Sequence, residues 1–298
     1  MRPLAPVAAL ALLAAGVASA RAQEPGSPVF PAEVEAVKVT VVVSDHRGEW
    51  VRGLTRDDFR VFEDGRPQTV TLFSPGDTRQ PADDGFVVGL LVDTSGSMAR
   101  SRERAQTAAL RFLQTVPVAR LRILASFDAD VRFWDPAKPP DTILGQMNAF
   151  ARRQGPTALY TAIDAALERI GTEARGALVV MTDGEDFGSR VTRREVLERI
   201  DTSNVTLYPI GFRGESGESG WPFLRQIARW SGGLFFDGEA RSFEVAFQGI
   251  ATELSAQYLL GYVAERPRRP GFHRLEVEVA RPGLRVRHRP GYAVAGAK

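Results

Sequence analysis

The chain has 298 residues, 44% of them hydrophobic and 25% charged, which is the composition of an ordinary globular protein rather than a fibrous or disordered one. Its formal net charge of +2 predicts no strong overall electrostatic field. It contains no cysteine, which excludes disulfides, thiolate metal sites and a lipid anchor on a cysteine.

Residues 1–22 have the pattern of a signal peptide. Arg2 precedes an apolar, alanine-rich run at 4–17, and the small residues at 18–20 and 20–22 fit cleavage sites. The run is short for a membrane span of about 20 residues, so cleavage is favoured over an N-terminal anchor. No later segment is apolar for long enough to cross a membrane. We therefore expect export to the periplasm or the extracellular space.

Residues 33–75 predict a small β module. Valines alternate with polar residues in 34–44, which is typical of a half-buried strand. The Asp-Gly pair at 64–65 predicts a hairpin, with 69–73 as its returning strand. The stretch 74–85 is rich in proline, glycine and aspartate, and we place a domain boundary there.

The run at 86–92 is continuous, apolar and rich in β-branched residues, which predicts a strand buried on both faces. It stops at Asp93, and the small or polar residues 93–97 precede a predicted helix at 101–116. This order places a carboxylate and two serine hydroxyls at the carboxyl end of a central strand. Open α/β sheets bind their ligands at that edge.

From this strand to about residue 255, predicted strands alternate with predicted helices. The further strands are 121–127, 131–134, 176–181, 205–212 and 234–236, and the further helices are 141–151, 158–170, 192–200, 221–230 and 243–254. This alternation predicts an α/β domain over residues 86–255, with a mostly parallel sheet covered on both faces.

Residues 256–293 change character and contain three strand-like runs, at 257–263, 271–280 and 284–289. Neither this piece nor 33–75 has enough strands to bury a core alone. We therefore expect the two pieces to pack into one discontinuous β-sandwich that flanks the α/β domain.

The C-terminal strands are basic. We expect a solvated sheet face in which the arginines pair with Glu276 and Glu278, and a contact with an anionic cell envelope is the alternative. The arginines concerned are Arg266, Arg268, Arg269, Arg274, Arg281, Arg285, Arg287 and Arg289. Because aromatic residues are not interleaved with them, we expect no nucleic-acid binding.

Three loops at predicted strand ends carry oxygen ligands: Asp93-x-Ser95-x-Ser97, Thr157, and Asp183. Hard divalent cations prefer oxygen ligands, and Mg²⁺ takes about six of them. Neutral hydroxyls leave the charge of such an ion balanced by the two aspartates alone. The ion therefore stays electrophilic and can accept one more carboxylate.

In this order, the Asp93-x-Ser95-x-Ser97 turn, Thr157 before Ala-Leu-Tyr, and Asp183 between threonine and glycine resemble the metal-ion-dependent adhesion site (MIDAS) of von Willebrand factor type A (VWA) domains. The resemblance covers about 86–254. It implies a Rossmann-like, doubly wound sheet with one short antiparallel edge strand. It also implies Mg²⁺ or Mn²⁺, bound directly by the three hydroxyls and partly through water by the aspartates, and a protein partner that supplies an aspartate or glutamate.

The flanks are similar to secreted VWA-related proteins described first from acidobacteria. The segments at 53–68 and 257–292 match the sequences found before and after the domain in those proteins. Thr161 departs from the pattern, since relatives often have an aspartate there, but it is not a ligand position.

Other interpretations of these residues require different partners or groups. The Asp93 turn alone could be a helix N-cap, and an aspartic protease would need two facing Asp-Thr/Ser-Gly loops. A serine hydrolase is disfavoured because there is no Gly-x-Ser-x-Gly elbow and the three histidines lie in the β flanks, His46 in a turn and His273 and His288 on solvated strands. A metal-assisted hydrolase lacks a histidine or a second carboxylate cluster for general-base work. A purely stabilising ion is a further alternative.

Glu185 and Asp186 beside Asp183 are expected to form an exposed loop, and the alternative is that they tune the ion. We predict no catalytic residue. The sequence thus favours an exported, non-enzymatic binding module.

Overall fold

The computed structural model describes residues 36–75, 87–115, 121–150, 156–171, 175–238, 243–264 and 269–294. All of them belong to the unit Glu35–Lys298. The predicted signal peptide and most of the predicted linker at 74–85 lie outside the described residues. None of the described helices is both long and apolar enough to span a membrane.

The elements follow one another in three groups. The N-terminal strands are β1 (Ala36–Ser44), β2 (Phe59–Glu63), β3 (Arg66–Gln68) and β4 (Leu72–Ser74). The middle group is β5 (Val87–Asp93), α1 (Arg102–Thr115), β6 (Leu121–Phe127), β7 (Val131–Phe133), α2 (Pro140–Phe150), α3 (Leu159–Ile170), β8 (Arg175–Thr182), α4 (Arg193–Thr202), β9 (Asn204–Gly211), α5 (Trp221–Ser231), β10 (Phe236–Asp237) and α6 (Phe243–Ala256). The C-terminal strands are β11 (Tyr258–Val263), β12 (Gly271–Val279), β13 (Arg285–Arg287) and β14 (Gly291–Val294).

The middle group forms a six-stranded sheet in the order β10-β9-β8-β5-β6-β7. Its neighbouring strands are parallel, except that the edge strand β7 runs antiparallel to β6. This confirms the predicted α/β class and the mostly parallel sheet. The observed β10 lies about two residues later than the predicted strand at 234–236.

The strand β5 is buried along its whole length because helices cover both faces of the sheet. Leu90 points into an apolar cluster that contains Phe112 of α1 and Phe247 of α6. The next residue, Leu91, points into a second cluster with Leu159 of α3 and other side chains of α4 and α5. Successive side chains of a strand alternate between faces, so a continuous apolar run is what a strand in this position requires.

Two four-stranded sheets each combine strands from the N-terminal and C-terminal groups. Their orders are β13-β1-β11-β4 and β14-β12-β2-β3. One apolar cluster draws on both of them, with Val39 of β1, Val61 of β2, Tyr258 of β11 and Leu275 of β12 all buried in it.

The prediction of a returning strand at 69–73 is wrong. Asp64 and Gly65 both have positive φ values, 49° and 78°, so they form a two-residue turn and pairing begins directly at Glu63 and Arg66. The strand that follows the hairpin, β4, instead pairs with β11 in the other sheet. The C-terminal segment also contains a strand, β14, that the sequence did not predict, and it pairs with β12.

The prediction of a solvated arginine face is wrong for Arg287 and Arg289. Arg287 Nη2 lies 2.6 Å from Oε1 of Glu253, a fully buried residue of α6. Arg289 Nη1 donates a 2.7 Å hydrogen bond to the Ser203 carbonyl, and the guanidinium also binds the carbonyl of Asp201 at the end of α4. Burial lowers the pKa of Arg289 to about 10. These two cations contact the α/β part of the chain rather than solvent.

Arg281 forms an exposed ion pair instead. Its Nε and Nη2 atoms donate to Oδ1 and Oδ2 of Asp58 at 2.8 and 2.9 Å. This bidentate contact, followed by the backbone amide of Thr55, lowers the pKa of Asp58 to about 2. It joins the end of β12 to the short turn before β2.

The prediction that His273 and His288 are solvated is wrong as well. The His273 side chain is only 12% exposed. His288 is half-buried, and its Nε2 accepts a 3.2 Å hydrogen bond from the backbone amide of Val277. Burial lowers the pKa of His288.

Candidate metal centre

The ends of β5 and β8 bring the predicted aspartates to one edge of the central sheet. The two strands are parallel neighbours, and Val92 lies opposite Met181. Asp93 is the last residue of β5, and Asp183 directly follows the end of β8. Both side chains are almost completely buried. The two apolar strands therefore position both carboxylates at the carboxyl-terminal edge of the sheet.

Hydrogen bonds hold Asp93 at both of its oxygens. Oδ1 accepts from the backbone amide of Ser95 at 2.9 Å, and Oδ2 accepts from the Thr182 hydroxyl at 2.6 Å. Thr182 Oγ1 accepts in turn from the amide of Gly184 at 3.0 Å. Thr182 was not among the predicted site residues. Its contact with Asp93 depends on the pairing of β5 with β8. Its position directly before Asp183 was the one feature of the sequence that indicated a place near the site.

The serine hydroxyls lie in the turn between β5 and α1. Ser95 is buried and Ser97 is half-buried, and their Oγ atoms are 3.1 Å apart. The Ser97 hydroxyl also lies close enough to the Asp183 carboxylate to lower its pKa. The structure thus joins Asp93, Ser95 and Ser97 through direct contacts and places Ser97 beside Asp183.

The Asp183 carboxylate has one satisfied oxygen and one unsatisfied oxygen. Oδ1 accepts from the amide of Glu185 at 3.0 Å, whereas Oδ2 is buried and has no hydrogen-bond partner among the described residues. Gly214 covers this oxygen so closely that a Cβ atom at residue 214 would lie 2.5 Å from Oδ2. An unsatisfied buried carboxylate oxygen is costly, and a cation would satisfy it.

The electrostatics of the pair also favour a cation. Burial, and then the neighbouring charge of Asp183, raise the pKa of Asp93 to about 7. Burial raises the pKa of Asp183 too, and the nearby Ser97 hydroxyl partly offsets this. Among the described residues, neither carboxylate forms an ion pair with lysine or arginine. The donor set therefore fits a hard divalent ion.

Thr157 lies in the loop that leads into α3. Its carbonyl accepts from the amides of Phe187 and Gly188 at 2.9 and 3.0 Å, and the next amide, of Ala158, donates to the carbonyl of Asp128 after β6. These contacts hold the loop between the segments that follow β6 and β8. The Thr157 side chain is buried and takes part in no hydrogen bond within the described ranges, so its hydroxyl is available as a ligand.

The surroundings of the site differ in part from the prediction. Glu185 is buried rather than exposed, and the Ser219 hydroxyl donates to it. Asp186 accepts from the amide of Tyr160 at 3.1 Å. Phe187, in contrast, is 72% exposed, the most exposed large hydrophobic side chain that the structure describes.

The family profile of the von Willebrand factor type A domain matches residues 88–185, a span that contains all five predicted ligands. The chain contains a VWA domain. VWA domains commonly bind a divalent metal. No curated protein sequence matches the chain.

Several solved structures are similar to the chain. A von Willebrand factor type A protein from Catenulispora acidiphila is 14% identical with a TM-score of 0.45, and the match covers 89% of this chain and 76% of that one. BatB from Bacteroides thetaiotaomicron is 16% identical with a TM-score of 0.42, covering 56% of this chain and 98% of that one. Proximal thread matrix protein 1 from the mussel byssus is 16% identical with a TM-score of 0.41, covering 57% of this chain. This chain covers 46% of the mussel protein, less than half of its length.

Proposed function

We propose that this VWA protein is an exported, non-enzymatic binding module. In this proposal it holds Mg²⁺ or Mn²⁺ at a MIDAS and binds a protein partner through an aspartate or glutamate of that partner. The ligands would be Asp93, Ser95, Ser97, Thr157 and Asp183. The observation that carries the proposal is the pair of buried carboxylates with raised pKa values, one of which keeps an unsatisfied oxygen.

Each group would have a separate part in binding. The hydroxyls of Ser95, Ser97 and Thr157 would supply neutral oxygens, so that the two aspartates alone would balance the charge of the ion. Thr182 and the backbone amides hold the two aspartates in place before the ion arrives. A bound Mg²⁺ would supply an electrophilic position that accepts a further carboxylate.

The rim of the site favours a protein as the partner. Phe187 is exposed on the segment that contacts the Thr157 carbonyl. Aromatic side chains are common anchors in protein interfaces, and an anchor beside a charged centre suits an acidic residue flanked by apolar ones. A small free carboxylate would not use such an anchor.

The proposal also covers the rest of the chain. We propose that residues 1–22 direct export and are removed. The strands of 33–75 and 256–293 would form a discontinuous β-sandwich, and the exposed Arg269, Arg274 and Arg285 would be free to contact an anionic cell envelope. No role in nucleic-acid binding is proposed.

Water-proton relaxation of bound Mn²⁺ tests the central part of this proposal. We expect one tightly bound Mn²⁺ whose relaxation enhancement falls when acetate is added, because acetate replaces a coordinated water. Asp93→Ala should lose both effects, whereas Asp57→Ala, a change at an exposed aspartate, should keep them. Metal-dependent hydrolysis of p-nitrophenyl phosphate or p-nitrophenyl acetate would instead favour the hydrolase alternative, provided that Asp183→Ala abolishes it.

A further inference from the structure

A second group of metal-ligating side chains lies on the β flank, away from the VWA site. It consists of Glu63 at the end of β2, Asp64 in the following turn, and His273 of β12. One ligand atom from each residue lies within 4.8 Å of the others. In the register of β2 and β12, Glu63 lies opposite Leu275, which is buried. His273 is two residues along the same strand, so Glu63 and His273 share the inner face of the sheet.

The two distances from His273 to the carboxylates match those between ligands around a metal ion. His273 Nδ1 is 2.9 Å from Asp64 Oδ2 and 3.3 Å from Glu63 Oε1. Two ligands at about 2.1 Å from a metal are about 3.4 Å apart in a tetrahedral site and about 3.0 Å apart at a right angle. One ion between the three atoms would therefore need little movement of the side chains.

The orientation of the imidazole is fixed from outside the cluster. His273 Nε2 lies 2.8 Å from the carbonyl oxygen of Arg269, which can only accept a hydrogen bond, so Nε2 carries a proton. In the neutral ring, Nδ1 then directs its lone pair at two carboxylates. Metal-binding histidines typically donate their other N–H to a carbonyl or carboxylate in this way.

Two tyrosines support the carboxylate side of the cluster. The Tyr292 hydroxyl donates to Glu63 Oε1 at 2.8 Å, and the Tyr292 ring stacks on His273 at a centroid distance of 5.4 Å. Tyr262 is fully buried and lies against Glu63 and Tyr292, yet its hydroxyl has no hydrogen bond of good geometry within the described part of the chain. This is an unsatisfied buried group directed at the same carboxylate.

From this geometry we propose that Glu63, Asp64 and His273 form a Zn²⁺ site that joins the β2–β3 hairpin to β12. Zn²⁺ takes mixed nitrogen and oxygen ligands in small coordination shells, whereas Mg²⁺ prefers an all-oxygen shell. The half-exposed Asp64 side chain leaves a path for the ion. In a chain without cysteine, the ion would link residues more than 200 positions apart.

Zinc titration calorimetry on the full chain at pH 8 tests the proposal. Excess Mg²⁺ and the Asp93→Ala background prevent zinc from binding at the candidate metal centre of the VWA domain. The result is therefore independent of the proposed function. We expect one Zn²⁺ per chain. Adding His273→Gln should weaken binding at least about 100-fold, and adding Tyr292→Phe about tenfold. The matched control, His46→Gln in an exposed turn, should leave the affinity unchanged.

Zinc binding of equal strength in the His273→Gln variant, or no binding at millimolar Zn²⁺, would overturn the proposal. Ring-nitrogen NMR gives an answer even if that variant fails to fold, because the chain has only three histidines. We expect Nδ1 of His273 to take the shift of a metal-bound nitrogen at saturating Zn²⁺. An Nδ1 that stays protonated would show that the cluster is only a hydrogen-bonded imidazolium.

Discussion

Asp93→Asn is expected to stabilise the metal-free protein while it removes metal binding. The folded state raises the pKa of Asp93 to about 7 from the ordinary value of 3.8. Between these two values the folded chain keeps a proton that the unfolded chain releases, so the free energy of unfolding falls as the pH rises through this window. Above pH 7 the full penalty for the buried charge is present. Asparagine carries no such charge.

The magnitude follows from the size of the shift. At about 1.4 kcal/mol per pKa unit, the penalty for the wild-type carboxylate is about 4 kcal/mol at pH 8 and about 2 kcal/mol at pH 5. The amide of asparagine disturbs the hydrogen bond from Thr182, which costs about 1 kcal/mol at either pH. The variant should therefore gain about 3 kcal/mol over wild type at pH 8 but only about 1 kcal/mol at pH 5.

Urea unfolding in EDTA at pH 5, 6, 7 and 8 measures this difference. Adding Mg²⁺ at pH 8 should stabilise wild type and leave Asp93→Asn unchanged, because ligand binding to the folded state alone raises the free energy of unfolding. The control is Asp57→Asn, which should follow wild type throughout. A difference between Asp93→Asn and wild type that is the same at pH 5 and pH 8 would refute the reasoning.

Three further predictions concern packing, acid stability and the cover of the metal site. Arg289→Met should lower the free energy of unfolding by about 3 kcal/mol in urea titrations because it leaves buried carbonyls without a donor, whereas the exposed Arg285→Ala should change it little. Asp58 has a pKa lowered to about 2, so its ion pair adds stability above pH 3.8 that is lost as the pH falls through 2. In acid-unfolding curves the Asp58→Asn variant should lack this loss of stability between pH 3.8 and pH 2. A variant curve identical to that of wild type would contradict the prediction. Gly214→Ala should weaken Mg²⁺ binding in calorimetry at least about tenfold by displacing a carboxylate, while Gly145→Ala, where a Cβ meets nothing within 4 Å, should not.

The sequence predicted the central sheet and the aspartate pair well because both depend on local patterns. A continuous apolar run that ends at Asp93 predicts a buried strand and a carboxylate at its end, and the same holds for the run before Asp183. Parallel pairing then brings the two ends together without further information. These are the parts of the molecule in which local pattern and tertiary structure agree.

The parts that the sequence did not predict depend on contacts between distant residues. The burial of His273 and the inward direction of Arg289 follow from which strands pair, and no local pattern encodes that pairing. Because the turn at Asp64 has only two residues, β2 pairs with β3 rather than with the predicted strand at 69–73. The next strand, β4, pairs with β11 in the other sheet. Gly214 approaches Asp183 from a loop about 30 residues later, which only the folded chain reveals.

Calorimetric titration of Mg²⁺ into EDTA-stripped protein, beside Asp93→Ala, addresses the proposed metal centre most directly. Two buried carboxylates with an unsatisfied oxygen predict one saturable Mg²⁺ per chain, and the variant should show no such binding. Far-UV circular dichroism of both proteins would verify that the variant is folded. No saturable binding to wild type, or equal binding to a folded Asp93→Ala variant, would contradict a metal site at this edge of the sheet.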